Sequence, residues 1–172
     1  MEDTWVSYEI HPETPLGGVL LERLFGPARA ERHEGMRRRC AELGLPFEPP
    51  TLLSNSRLAI EAAEFARDAG KHPEFHRAVL AAYFAHGQDI GDLDVLAGLA
   101  QEVGLDTASL KQALDAGRYA GRHRAVPEAA CRLGITGVPT YIFADGARVV
   151  GAQPLDSFRR LVAAYHPRRE VS

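Results

Sequence analysis

Cysteine is scarce in this sequence. Cys40 and Cys131 are its only two in 172 residues, and they stand far apart, without the spacing of a disulfide framework or a metal knot. No apolar run approaches the roughly 18 residues that a membrane span needs, so no membrane partner is expected. The opening "MEDTWVSYEI" has no basic stretch followed by an apolar one, and no secretory leader is expected from it. A cytoplasmic protein with reduced thiols follows as the expectation. An excess of positive charge is also missing: 20 basic against 23 acidic residues give a net charge of -3, which argues against a nucleic-acid partner. Arg37, Arg38 and Arg39 lie among Glu31, Glu34 and Glu42 and read as a solvated helix face.

Metal-ligand patterns are equally thin. His72 and His76 are four apart with Glu74 between them, but "HPEFH" is not the zinc-protease pattern. His72 reads as a helix-boundary residue and His76 as a surface one. Asp89, Asp92 and Asp94 are interrupted by Ile90 and Leu93 with no closing glutamate in calcium-loop register, so they read as caps and turn residues. No metal and no cofactor is expected.

With 45% hydrophobic and 25% charged residues, the chain can bury the core of one ordinary globular domain, with room for an inserted subdomain. Residues 4–10 alternate, Thr4, Val6, Tyr8 and Ile10 against Trp5, Ser7 and Glu9, which predicts a strand. From there to about Gly134 the period is helical. Pro27 opens one helix, with Met36, Cys40 and Leu43 as its apolar stripe, so Cys40 is expected in the core. Asn55 or Ser56 caps the next, which Gly70 closes. Pro73 opens a third, Asp92 caps a fourth closed by Gly104, and Asp106 or Thr107 caps a fifth. A sixth carries Cys131, expected to be packed, and is restarted or kinked by Pro127. After Gly137 the period changes to 2, and "TYIFADGARVVGA" predicts a hairpin turning at Asp145-Gly146. Pro154 opens a terminal helix.

Several stretches then carry a resemblance: "YEIHPETP", "SNSRLAIEAAEFARDAGK", "EFHRAVLAAYFAHGQDIGDLDVLAGLAQEVGLD", "LGITGVPTYIF" and "GAQPLDSFRRLV". Their order and spacing resemble the DsbA-like branch of the thioredoxin superfamily, in particular its cytoplasmic FrnE-type members. The resemblance implies an α/β thioredoxin-like fold, with residues 1–16 and 134–172 as the thioredoxin-like part and 17–133 as a mostly helical insertion. It implies a cis peptide bond before Pro139, and a Val138 backbone offered to an extended thiol- or disulfide-bearing peptide or protein partner. Val138, Pro139 and Asn55 are therefore the candidate substrate-binding residues. Asn55 is open to two readings, as a plain cap or as a polar group facing the site.

The sequence also departs from that family. It resembles the family from the second strand onward, and the first strand, the Cys-x-x-Cys turn and the first helix have no counterpart, so no catalytic residue is assigned. Dithiol exchange is accordingly not expected from these residues. Two other functions compete: a non-catalytic peptide- or partner-binding module, and a glutathione-dependent isomerase or transferase of the kappa or hydroxychromene-carboxylate type. "GAQP", Gly151 to Pro154, lacks the Asp-Arg pair of the glutathione branch. With the first strand absent, Val6–Ile10 and Tyr141–Ala144 each keep unpaired backbone; either the two strands pair directly or a second chain fills the gap in a symmetric homodimer, and the dimer is the expectation.

Overall fold

The structure, a computed structural model, describes residues 4–26 and 29–165. It divides into two units, the first running to Val126 and the second from Pro127. In the first unit, β1 (Val19–Leu20) leads directly into the short α1 (Leu21–Phe25), followed by α2 (Arg29–Glu42) and β2 (Leu52–Leu53). β1 and β2 pair antiparallel, Val19 opposite Leu53 and Leu20 opposite Leu52. This small sheet was not legible in the sequence. Gly18 makes it feasible: its φ is +73°, and a Cβ there would stand 2.6 Å from the Leu53 carbonyl oxygen. The Tyr83 hydroxyl donates to the Leu52 carbonyl at 2.7 Å.

Four helices then follow: α3 (Arg57–Asp68), α4 (His72–His86), α5 (Leu93–Glu102) and α6 (Thr107–Asp115). α3 packs on all three of its successors. Its buried face is built of Ala59, Ala62, Ala63 and Ala66, against Phe75, Val79 and Ala82 of α4, Leu96, Leu99 and Ala100 of α5, and Leu110 and Leu114 of α6. Small side chains on the central helix let the larger ones on its neighbours fill the space between backbones. The ends of these helices follow local chemistry. The Asp92 carboxylate accepts from the amides of Asp94 and Val95, and that of Asp106 from Ser109, each satisfying amides that the first turn leaves open. Asp89 accepts from the Gly91 amide at 2.9 Å, the turn role expected of it.

α7 (Ala120–Arg132) continues through Pro127, and the division between the units falls inside it. Its first half is locked to α3: Tyr119 is fully buried, its hydroxyl donates to Asp68 at 3.0 Å, and Arg122 reaches both oxygens of Asp68, at 2.7 and 3.2 Å. The second unit carries β3 (Thr140–Ile142), β4 (Arg148–Val150) and α8 (Leu155–Tyr165). β3 and β4 form the expected hairpin, turning at Gly146 with φ +86°. The Tyr141 ring packs on Phe158 of α8, centroids 4.6 Å apart.

Three expectations are corrected. Residues 4–10 form no strand, because no described segment pairs with them, and a strand exists only through its ladder. The Met36, Cys40, Leu43 stripe is not core: Met36 and Leu43 are each half exposed and Cys40 only partly buried, since among the described residues no buried cluster takes in that face of α2. Cys131 is exposed rather than packed, with neighbouring Ala130 taking the buried position on α7. Pro27 lies outside the described residues.

The alanine face makes a quantitative prediction. Ala62 is wholly buried, so Ala62→Leu must push neighbouring helices apart and should cost ~2 kcal/mol. Urea unfolding followed by circular dichroism measures it, the expected result being a lower midpoint.

Candidate functional site

The hairpin determines which backbone groups remain available. In an antiparallel pair, residues alternate between exchanging hydrogen bonds with the opposite strand and pointing those groups away from it. Gly151 donates to the Pro139 carbonyl at 2.7 Å and Phe143 to that of Ala147 at 2.9 Å. In the observed register, with Tyr141 opposite Val149, positions 139, 141 and 143 therefore face β4. Thr140 and Ile142 turn their N–H and C=O to the outer edge of β3. Val138 continues that edge. It is 43% exposed, and among the described residues no backbone hydrogen bond engages its N–H or C=O. Its bond to Pro139 is cis. The Thr140 hydroxyl donates to the Gly137 carbonyl at 2.5 Å, which holds the turn entering the edge. Val138, Ile142 and Val150 are each 43–49% exposed, so an apolar strip runs beside the open backbone.

Asn55 lies in the first unit, and both ends of its amide are in use. Nδ2 donates to the Thr14 carbonyl at 2.6 Å, and Oδ1 accepts from the Arg57 amide at 3.2 Å. The helix cap itself is Ser56, without a side-chain bond. One amide hydrogen of Asn55 is left to offer elsewhere. Gln153, in the stretch that would carry the glutathione motif, donates to the Val150 and Gly151 carbonyls at 3.2 and 3.4 Å and so closes its loop on itself. Both cysteines are free thiols. Among the described residues no cluster of three His, Cys, Asp or Glu side chains is arranged to hold a metal, and no helix is long and apolar enough to cross a membrane.

One polar cluster was missed in the sequence. His76 is not a surface residue. Its ring is half-buried, stacked on that of His72 at 5.6 Å between centroids with 10° between planes, and 5.5 Å from the Trp5 ring. His72 itself is buried. Arg67 Nη2 donates to His72 Nε2 at 2.9 Å and to the Trp5 carbonyl at 2.6 Å. Burial, then Arg67 and then His76 push the His72 pKa below its ordinary 6.5, with Glu64 opposing. Burial and then Arg67 do the same for His76. The four-residue histidine spacing was the available signal, but nothing local announces Arg67 or Trp5 as partners.

A hairpin entered through a cis-proline turn and followed by a helix is a feature of thioredoxin-like proteins. Residues 4–163 match the model of the DSBA-like thioredoxin domain, and the chain belongs to that family. It is 32% identical over 167 residues to an uncharacterized protein, YwbO, of Bacillus subtilis (strain 168), spanning 95% of this chain and 82% of the relative. In fold it is similar to the crystal structure of a probable DsbA oxidoreductase from Streptomyces coelicolor, with a TM-score of 0.85 and 23% identity, over 93% of this chain and 73% of that one.

The alternation along β3 is directly measurable. Amides of Tyr141, Phe143 and Val149 should exchange with solvent about tenfold more slowly, or slower still, than those of Val138, Thr140 and Ile142. Hydrogen exchange read residue by residue by NMR checks this, and protection of Thr140 and Ile142 would contradict an open edge.

Proposed function

We propose that this chain is a FrnE-type member of the DsbA-like family, acting in the reducing cytoplasm. It receives an extended thiol- or disulfide-bearing peptide, or the equivalent segment of a protein partner, along the outer edge of β3. The observation that carries this reading is the row of outward backbone groups at Val138, Thr140 and Ile142, flanked by exposed Val138, Ile142 and Val150. An extended peptide adds to such an edge by main-chain hydrogen bonds, and the apolar strip supplies side-chain contact. Val138 and Pro139 are the proposed substrate contacts on this edge; Asn55, in the first unit, is proposed separately as a polar binding residue through its remaining amide hydrogen. The two unpaired cysteines are in keeping with a reducing compartment.

On this reading the 172 residues bind but do not themselves exchange disulfides. Exchange needs an attacking thiolate of suitable pKa and access, with a second thiol to resolve the mixed disulfide, and the sequence has no Cys-x-x-Cys. In insulin reduction with dithiothreitol, the wild type should match a Cys40→Ala, Cys131→Ala double variant, both at the uncatalysed rate. A fast rate abolished by those substitutions would refute the assignment. Binding is tested separately with Ile142→Pro. It removes one outward N–H and leaves the bonds to β4 in place. Capture of an extended cysteine-containing peptide should weaken about tenfold, the equivalent of one or two main-chain bonds. Unchanged capture would place the peptide elsewhere.

A homodimer belongs to the same proposal. Val6, Tyr8 and Ile10 are 63, 40 and 60% exposed, while Glu9 between them turns inward to His123 at 3.0 Å. A two-fold axis would set this apolar strip against its own copy. Light scattering at low micromolar concentration should give the mass of a dimer, and a stable monomer would exclude it.

A further inference from the structure

We propose that Arg67, His72 and His76 form an acid-released clamp on the N-terminal segment, holding Trp5 at neutral pH and letting it go when the imidazoles take up protons. This inference rests on the clamp alone and is independent of the peptide-binding reading.

The hydrogen-bond inventory fixes the protonation state. A guanidinium has donors only, and both hydrogens of Arg67 Nη2 are committed, one to His72 Nε2 at 2.9 Å and one to the Trp5 carbonyl at 2.6 Å. His72 Nε2 must therefore be an acceptor, and its ring neutral. Protonation would put an N–H against an N–H and a cation against a cation, and Arg67 has no way to neutralise itself. The same nitrogen holds Trp5, so its withdrawal from His72 also breaks the backbone bond. His76 couples the remaining side: its ring stacks on His72 and meets the Trp5 indole, so charge on either imidazole disfavours charge on the other. His72 also opens α4, where the helix dipole opposes a positive charge.

The surrounding charges have other commitments. From α3, Glu64 favours a protonated His72, but it is shared by Arg67 at 3.1 Å and Arg122 of α7 at 3.4 Å. Lys71, the residue before α4, and Glu74 between the two histidines are both exposed. From the N-terminal segment, Glu9 is bound to His123 of α7. That pair shares no atom with the clamp, so release is confined to residues 4–8, with Glu9 as the pivot.

The sign follows from the neutral requirement. Both imidazoles titrate below their ordinary 6.5, so the clamp is fully in place above that value and is lost as pH falls from there through the lower folded-state values.

Trp5 is the only tryptophan, so its fluorescence reports the clamp directly. As pH falls from about 7.5 to about 5, its emission should move to longer wavelength and acrylamide quenching should increase, while far-ultraviolet circular dichroism stays constant. Arg67→Ala at neutral pH gives the released reference signal. In a His72→Gln, His76→Gln double variant, where an amide oxygen can still accept from Arg67, the transition should vanish. The proposal is overturned if wild-type Trp5 shows no transition, or if the double variant keeps it. A transition removed by His123→Gln alone would likewise overturn it, by assigning the response to the Glu9 pair.

Discussion

The close approach of α3 to three neighbouring helices is the constraint on which the first unit depends. It is possible because Ala59, Ala62, Ala63 and Ala66 occupy the contact face, so Phe75, Leu96 and Leu110 reach the helix surface without opposing bulk. This contact also orients the rest of α3. Glu64, Arg67 and Asp68 are carried on its remaining surface and gather what lies outside the helical core: Arg67 takes the N-terminal segment, and Asp68 takes Tyr119 and Arg122 at the head of α7. One helix supplies the apolar core and the polar attachments together.

Legibility in the sequence followed the range of the interactions. The caps at Asp92 and Asp106, the Asp145-Gly146 turn and the alternation around it are decided within a few residues, and they stood as read. The Asp145 carboxylate even closes its own turn onto the Ala147 amide. Residues 4–10 carry as clean an alternation as β3, yet a period of two specifies only which side chains share a face, and the ladder must come from elsewhere. Cys40, Cys131 and His76 were misplaced for the complementary reason. A helical stripe says which residues would be buried together, while the neighbour that buries them is a tertiary fact. The edge of β3 was legible only once register was known, since a shift of one residue would have exchanged its inward and outward groups.

Membership of the DSBA-like thioredoxin family and possession of a dithiol are separate properties of this chain. The proposed recognition of an extended segment would depend on backbone geometry around Val138 and Pro139, which the hairpin and its turn provide on their own. Electron transfer depends on sulfur chemistry, and Cys40 on α2 and Cys131 at the end of α7 sit on helices rather than in a paired redox loop.

The two margins of the hairpin are not equivalent. On β4, Gln153 occupies the Val150 carbonyl, and the strand carries charged Arg148, whose guanidinium donates to the Leu133 carbonyl. Charge and local bonding of this kind discourage a further strand from adding. Sheet growth is thereby directional: one strand can be accepted beside β3, and propagation past β4 is blocked. A hairpin with open backbone on β3 is in this way kept from becoming a template for fibres.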